Sequence, residues 1–456
     1  MAQNLLLTAS QKPQNYYQWF LFSCQHVFAM FGANILAPLV INNISGQMII
    51  TTSMALFASG LGTLIYILVT KAKVPIYLGS SFAYMTTIGT LLKITDRTSN
   101  GSVFLALFFV GLGYMLVALI IYFIGNKWIN KILPPVVIGP MIIIIGLSVA
   151  GIAINNSGLN PPNWVSEKEV YPYWIAILIA GITLLAIISF NILCKGIFKV
   201  IPILLGMIVG YLVALIFHFS SSYEIINTSL LTNINNWSWH PWNKSVFKGI
   251  WNIDNKILVT AIFSLLPLIF ITIAEHIGDH INIGQITGNN YLKNPGLHRT
   301  LLGDGLATSV SAIIGGPPNT TYSENASVVS ITRMGSVWVT GGAAVIAIGV
   351  SFLAPVTQII TMVPKPVMGG VGIVLFGLIA TNGIKVLFDN QVNLNDMKNI
   401  FVIGIMLILA IGQAVLNIAD GLRLTGMSLS SIVGIILNLL LHSNLWIKLK
   451  ILLNKE

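Results

Sequence analysis

Of the 13 acidic residues in this 456-residue chain, eight fall in polar loops: Asp96, Glu167, Glu169, Glu224, Asp254, Asp389, Asp396 and Glu456. Asp420, next to Gly421 and Arg423, reads as a helix-edge turn. Four acids remain among apolar or small residues: Glu275, Asp279, Asp304 and Glu324. A carboxylate inside a membrane span costs at least ~2.5 kcal/mol at the helix centre, so each marks a candidate functional site. Glu275 and Asp279 are four residues apart and share a helical face. A carboxylate there, poised between charged and neutral forms, could couple proton movement to transport. Asp279 has a second reading as a cytoplasmic helix end, because His280 and Asn282 follow it. Asp304, flanked by Gly303 and Gly305, reads first as a structural cap or tether near helix ends. His26 lies inside an apolar helix beside Gln25 and reads first as a hydrogen-bonded core histidine, with proton coupling as its functional alternative. His276 and His280 have the i, i+4 spacing of a zinc pair, but lack HExxH order and further Cys or His ligands. No metal or cofactor is expected. No GxSxG elbow, P-loop or GxGxxG supports an enzyme or an ATP-driven reading.

The elements that hold these acids are membrane spans. Charged residues are 8% of the chain, against ~25% in soluble proteins, and hydrophobic residues are 55%. Such a chain cannot clothe a water-soluble globule, which excludes soluble enzymes, nucleic-acid binders and disordered scaffolds. Continuous apolar runs such as 141–145 exclude a β-barrel, whose strands alternate. The fold class is an all-α polytopic membrane protein. Eleven convincing runs lie near 17–41, 47–70, 101–124, 132–155, 171–194, 200–220, 257–278, 337–356, 366–384, 398–417 and 424–442. Three more, 75–93, 297–316 and 318–333, are apolar but broken by small and polar residues, which makes about 14 segments. Most of the 23 Lys and Arg fall in loops on one side of such a map, placing both termini in the cytoplasm. The net charge of +10 is an orientation signal spread over loops, with no nucleic-acid footprint. The N-terminus lacks signal-peptide features, so the first span serves as the targeting signal. Cys24 and Cys194 read as structural thiols.

The polar segment 221–256, with Trp237, Trp239 and Trp242, divides the chain into two sets of about seven spans. An odd number per half makes any shared fold a pair of inverted repeats. The third segment of each half opens on proline and then runs through hydroxyl residues to an aromatic: Val74-Pro75-Ile76-Tyr77-Leu78-Gly79-Ser80-Ser81-Phe82, and Pro317-Pro318-Asn319-Thr320-Thr321-Tyr322-Ser323-Glu324. Their offset of about 240 residues equals that of the two first spans. Irregular backbone at membrane depth must face protein or a wet cavity. Two extended pieces can pair there, leaving two half-helix N-termini directed at the midplane.

At these residues the chain resembles the nucleobase–ascorbate transporters, or nucleobase:cation symporter-2 family, and within it the bacterial uracil permeases. The family signature matches Glu324-Asn325-Ala326-Ser327-Val328-Val329-Ser330-Ile331-Thr332-Arg333, with Ala326 in place of Gly and Ser323 where Gly is usual. Further matches are Gln25-His26-Val27-Phe28-Ala29-Met30-Phe31-Gly32-Ala33, Tyr77–Phe82, Ala274–Asp279 and Asn294-Pro295-Gly296-Leu297-His298-Arg299. The resemblance implies fourteen spans in two inverted seven-span repeats, with short β-strands in the broken third and tenth spans. It implies a core domain from 15–131 and 257–356, a gate domain from 132–220 and 357–445, and an extracellular loop at 221–256. It places Glu275 and Glu324 on the N–H groups of a base and assigns Phe82 and Ser323 as backbone N–H donors. Tyr322 would supply a ring surface, and Ala33 lies with the same site. Asp279, His276, Asp304 and His26 are its proton-coupling candidates. The implied function is proton-coupled uracil import across the cytoplasmic membrane by alternating access, in a homodimer. The alternatives are a xanthine or urate carrier, where Gln is common at position 324, and an ion channel.

Overall fold

The computed structural model describes residues 5–95, 100–160, 171–221, 223–228, 237–242, 252–419 and 422–443. Asp96, Glu167, Glu169, Asp420 and Glu456 lie outside them. The chain is mainly helical. Its first half comprises α1 (Tyr16–Ser45), α2 (Thr52–Val69), β1 (Leu78–Ser80), α3 (Met85–Ile94), α4 (Gly101–Ile124), α5 (Lys127–Ile132), α6 (Pro135–Ser148), α7 (Ala150–Asn156), α8 (Tyr173–Leu193), α9 (Ile197–Val200) and α10 (Pro202–Ser220). The second comprises α11 (Asn255–Leu265), α12 (Ile269–Thr287), α13 (Leu297–Ile313), β2 (Asn319–Thr321), α14 (Ser323–Thr332), α15 (Val337–Ser351), α16 (Ala354–Thr361), α17 (Lys365–Asp389), α18 (Met397–Ile411), β3 (Leu416–Ala419), β4 (Leu422–Leu424) and α19 (Gly426–Leu441).

Helix starts follow from local chemistry. Asn15, Thr51, Asp254, Ser336 and Asp396 cap five of them with side-chain oxygens on the first free N–H groups. Proline opens α6 and α10, where its missing N–H costs nothing. Gly46 and Gly288 close α1 and α12 in the left-handed conformation. Each of the fourteen apolar segments contains a helix. Among the described residues, eight helices are long and apolar enough to cross a membrane by themselves, and α15 with α16, bent by 84°, makes a ninth. The α11–α12 stretch counts as one of the eight, with a 3-10 turn at Leu266–Leu268.

The helices pack in two groups. In one, α13 lies against α2 and α4, and α15 against α1 and α2. In the other, α17 lies against α6, α7 and α8, and α18 against α6 and α19. The two broken segments meet inside the first group. β1 and β2 pair antiparallel, Leu78 opposite Thr321, Gly79 opposite Thr320 and Ser80 opposite Asn319. The flanks extend the pairing, with Ser81 N–H on the Pro318 carbonyl (2.8 Å) and Tyr322 N–H on the Tyr77 carbonyl (3.1 Å).

Three expectations are corrected. Segment 297–316 is not broken: α13 is continuous to Ile313. Its small residues allow close approach, since a Cβ on Gly305 would lie 2.8 Å from the Gly111 carbonyl oxygen and one on Gly303 2.7 Å from the Tyr66 ring. Asp279 is not a helix end, because α12 runs two more turns to Thr287. The second half also carries a hairpin, β3 with β4, where apolar residues 412–417 read as the end of a span.

Candidate functional site

The strand pair sets the site. After β1, a 3-10 turn begins at Phe82 and leads into α3; after β2, α14 begins at Ser323. Phe82 and Ser323 are therefore first-turn residues, whose N–H groups have no partner within the helix. Neither N-terminus has a side-chain cap. Tyr322 precedes Ser323, and its ring lies parallel to that of Phe82 (centroids 6.1 Å apart, planes within 2°). The Tyr322 hydroxyl donates to the Ser80 carbonyl (2.9 Å), which fixes the ring against the opposite strand. Gly79 makes room for it: a Cβ there would sit 2.4 Å from the ring.

Helix α12 brings the carboxylates to the same place. The Thr320 hydroxyl donates to Glu275 (3.5 Å) and the Thr321 hydroxyl to Asp279 (2.6 Å). Glu275 and Asp279, one turn apart on α12, are thereby both held against β2, the strand that leads into Glu324. Glu324 is the second residue of α14, where a helix N-terminus favours a negative group. Burial separates these groups from their surroundings. Glu275, Asp279, Ser323 and Glu324 are only half-buried, whereas Phe82, Tyr322 and Ala33 are buried. A Cβ on Gly278, on the Glu275 and Asp279 face of α12, would meet no atom within 4 Å. Open space thus lies along the α12 face that carries two carboxylates, and across β2 stand the N–H groups and aromatic ring at the helix starts, a set that complements a flat ring bearing N–H and C=O groups.

The other candidates fall into two clusters. His26 is buried in α1, where its Nδ1 accepts from Asn325 Nδ2 (3.0 Å), a contact that ties α1 to α14 one residue beyond Glu324. His276 points away from the carboxylates, towards α13. Its Nδ1 meets Asp304 Oδ2 at 2.7 Å and its Nε2 meets Thr300 Oγ1 at 2.9 Å. Asp304 is therefore a buried mid-helix tether rather than a cap, with His276 0% and Asp304 1% exposed. The His280 ring stacks on His276 (3.9 Å), donates from Nδ1 to the His276 carbonyl (2.7 Å) and meets the Tyr66 hydroxyl through Nε2 (2.6 Å). Every nitrogen of the His276–His280 pair is held by a protein group.

Several contributors carried no signal in the chain itself. Asn34 of α1 accepts from Ser80 N–H (2.8 Å) and Ser80 Oγ (2.7 Å), pinning β1 from outside. Thr63 binds both polar groups of the Leu78 backbone, and Thr308 both those of Asn319. Thr320 and Thr321 had a signal available, since each lies in the Pro-opened polar run that also holds Glu324.

Comparison with known proteins decides among transporter families. A model of the permease family covering xanthine and uracil permeases matches residues 17–418. The chain belongs to the nucleobase–ascorbate transporter family. It is similar to the uracil permease of Bacillus caldolyticus, 41% identical over 93% of this chain and 92% of the relative. It is also similar to the uracil permease of Escherichia coli (strain K12), 35% identical over 92% of this chain and 90% of the relative. Membership makes the protein a multi-pass membrane permease and not an enzyme. Among solved structures, the transmembrane domain of a cyanobacterium bicarbonate transporter, BicA, superposes with a TM-score of 0.56 at 13% identity, covering 94% of this chain and 99% of that one. Murine Solute Carrier 26 family member A9, an anion transporter in the inward-facing state, gives 0.62 at 11% identity, with 94% and 69% coverage. These two share the inverted-repeat fold with this permease.

Proposed function

We propose that this permease imports uracil with protons across the cytoplasmic membrane by alternating access. The observation that carries the reading is that Glu275, bonded by Thr320 of β2, and Glu324, on the helix that follows β2, flank one paired-strand break, in a chain 41% identical to a uracil permease. Uracil alternates N–H donors with C=O acceptors around a flat ring. In this reading Glu275 and Glu324 accept its N–H groups, the Phe82 and Ser323 N–H groups donate to its carbonyls, and Tyr322 and Ala33 line its faces. Glu at position 324, an acceptor only when charged, selects a base edge that donates. A carboxylate that must carry charge to bind, at a depth where charge is costly, links occupancy to protonation. Asp279, hydrogen-bonded to Thr321, is the nearest proton partner; His276 with Asp304, and His26, are reserve positions.

The two helix packing groups supply the moving parts. Residues 15–131 and 257–356 form a core that holds the substrate, and residues 132–220 and 357–445 form a gate against which it slides. Fourteen spans, cytoplasmic termini and a homodimer through the gate complete the proposed arrangement. Uptake of radiolabelled uracil by cells expressing the protein tests it. Uptake should exceed that of empty-vector cells and collapse with a protonophore. No excess uptake overturns the substrate, and uptake indifferent to the protonophore overturns the coupling. Preferential competition by xanthine or urate would move the protein to the purine carriers.

A further inference from the structure

Helix α1 continues past the candidate site. From Ala33 to Asn43 is about 15 Å of helix at ~1.5 Å per residue. Leu36, Val40 and Asn43 follow Ala33 along one side of it, and there a cavity of about 320 Å³ opens. That is large enough for a single small planar ligand, since ligand pockets start near ~300 Å³. The far wall comes from the other packing group, through Asn156 at the end of α7 and Met368 of α17. Gly46, which closes α1, leaves the mouth clear: a Cβ there would meet nothing within 4 Å.

The polar part of this wall is specific. Asn43 Nδ2 donates to Asn156 Oδ1 at 3.0 Å, joining the two packing groups across the cavity rim. That bond leaves Asn43 Oδ1 to accept and Asn156 Nδ2 to donate, the pairing that an N–H/C=O edge of a pyrimidine base requires. Leu36, Val40 and Met368 are apolar surfaces suited to the ring faces. Asn42, by contrast, is consumed by structure: its Oδ1 accepts from the Ile49 and Ile50 N–H groups and its Nδ2 donates to the Ile50 carbonyl. Asn42 also lines the cavity, but its amide is spent on the loop, whereas the Asn43 amide oxygen is not.

We propose that this cavity is a second nucleobase-binding site, a staging site on the path to the central carboxylates, in which the Asn43–Asn156 amide pair reads the edge of a pyrimidine ring. The proposal rests on the nucleobase reading above and adds a site to it. A base held by both amides would bond to a side chain from each packing group beside the Asn43–Asn156 bond that already joins them.

The test uses the purified full-length protein with Cys24→Ser and Cys194→Ser as background. Met48→Cys places a reporter thiol on the exposed cavity lip. Its alkylation by a maleimide is timed with and without uracil, alone and combined with Glu324→Gln or Asn156→Ala. The expected result is that uracil slows alkylation several-fold. The protecting concentration stays the same when Glu324→Gln has removed calorimetric binding at the central site, and protection disappears with Asn156→Ala. Protection that vanishes with Glu324→Gln would report the central site alone and overturn the proposal. So would protection that survives Asn156→Ala, or none at all in a protein that takes up uracil. Absence of uracil uptake overturns the substrate reading, while thiol protection still answers for the cavity independently.

Discussion

The two broken segments are the same backbone device with different chemistry. Each opens on proline, runs three residues as a strand and then starts a helix that no side chain caps. Residues 74–92, on the first side, contain no ionisable group apart from the Tyr77 and Tyr84 hydroxyls, and their contribution is a phenyl ring, a glycine and backbone N–H groups. The second side carries Glu324 on the half-helix and faces Glu275 and Asp279 across two threonine hydroxyls. Duplication explains the geometry, because paired strands need two extended partners. Charge needs no such symmetry: a buried carboxylate is expensive, and concentrating it in one half leaves the other to supply shape. On the proposed function this is a division of labour in which the second half decides what binds and the first decides how it fits.

The strongest challenge to that division is removal of the acid. Glu324→Gln replaces an obligate acceptor by an amide that presents a donor to the ligand. Losing one hydrogen bond to a charged group costs roughly 1.5–3 kcal/mol, which is about 10–150-fold in affinity. Calorimetry on the purified variant should show that loss with an unchanged melting temperature, because among the described residues no other side chain is seen hydrogen-bonded to this carboxyl. A variant that binds uracil as the parent does would remove Glu324 from the site.

Shape on the first side is tested at glycine. Gly79→Ala drives a methyl group to 2.4 Å from the Tyr322 ring, and the ring cannot retreat without releasing its bond to the Ser80 carbonyl. Overpacking of this kind costs about 1–3 kcal/mol. Gly278→Ala on the second side adds its methyl to open space. The first variant should melt several degrees lower and the second at or slightly above the parental temperature, since alanine is the better helix former; equal melting points would mean that Tyr322 is not held as described.

The struts behind the strands give a smaller contrast. Asn34→Ala strands the buried Ser80 N–H, which costs about 1–3 kcal/mol. Thr308→Val also frees backbone groups of Asn319, but its longer bonds (3.1 and 3.3 Å) are weaker to begin with. Thermal unfolding should therefore fall more for Asn34→Ala, and uracil affinity should follow it, since Ser80 leads through Ser81 into Phe82.

How legible this was depends on whether a signal was local. Proline followed by small hydroxyl residues marks both breaks, because such a sequence neither makes a full span nor tolerates lipid. The same small residues misled at 297–316. In Gly303-Asp304-Gly305 they serve close packing against α2 and α4, and composition cannot distinguish a helix that breaks from one that packs tightly. The Asp304–His276 contact joins residues 28 apart on two helices, so only tertiary structure reveals it. Hairpin β3–β4 did announce itself: Asp420-Gly421 between alternating Leu416, Ile418, Leu422 and Leu424 is a turn signal, outweighed by the apolar run before it.

The smallest predicted effect bears on one of the two places where the signature stretch departs from its family, the one assigned to the proposed site. Ser323 stands where uracil permeases usually carry glycine, yet the group proposed to meet the base is its backbone N–H, which both residues possess. Serine at the first position of α14 adds a hydroxymethyl group to a half-buried surface and leaves the helix start intact. Ser323→Gly should therefore change uracil affinity by no more than about 3-fold, well under the ~1.4 kcal/mol that a tenfold change represents. Ser323→Pro removes the N–H while keeping a residue that helices accept at their first position. If the backbone donor is what matters, the proline variant should lose at least as much affinity as a neutral hydrogen bond is worth, about 0.5–1.5 kcal/mol, with the helical circular dichroism unchanged. Glycine weak and proline tight would reverse the assignment and make the serine hydroxyl the ligand.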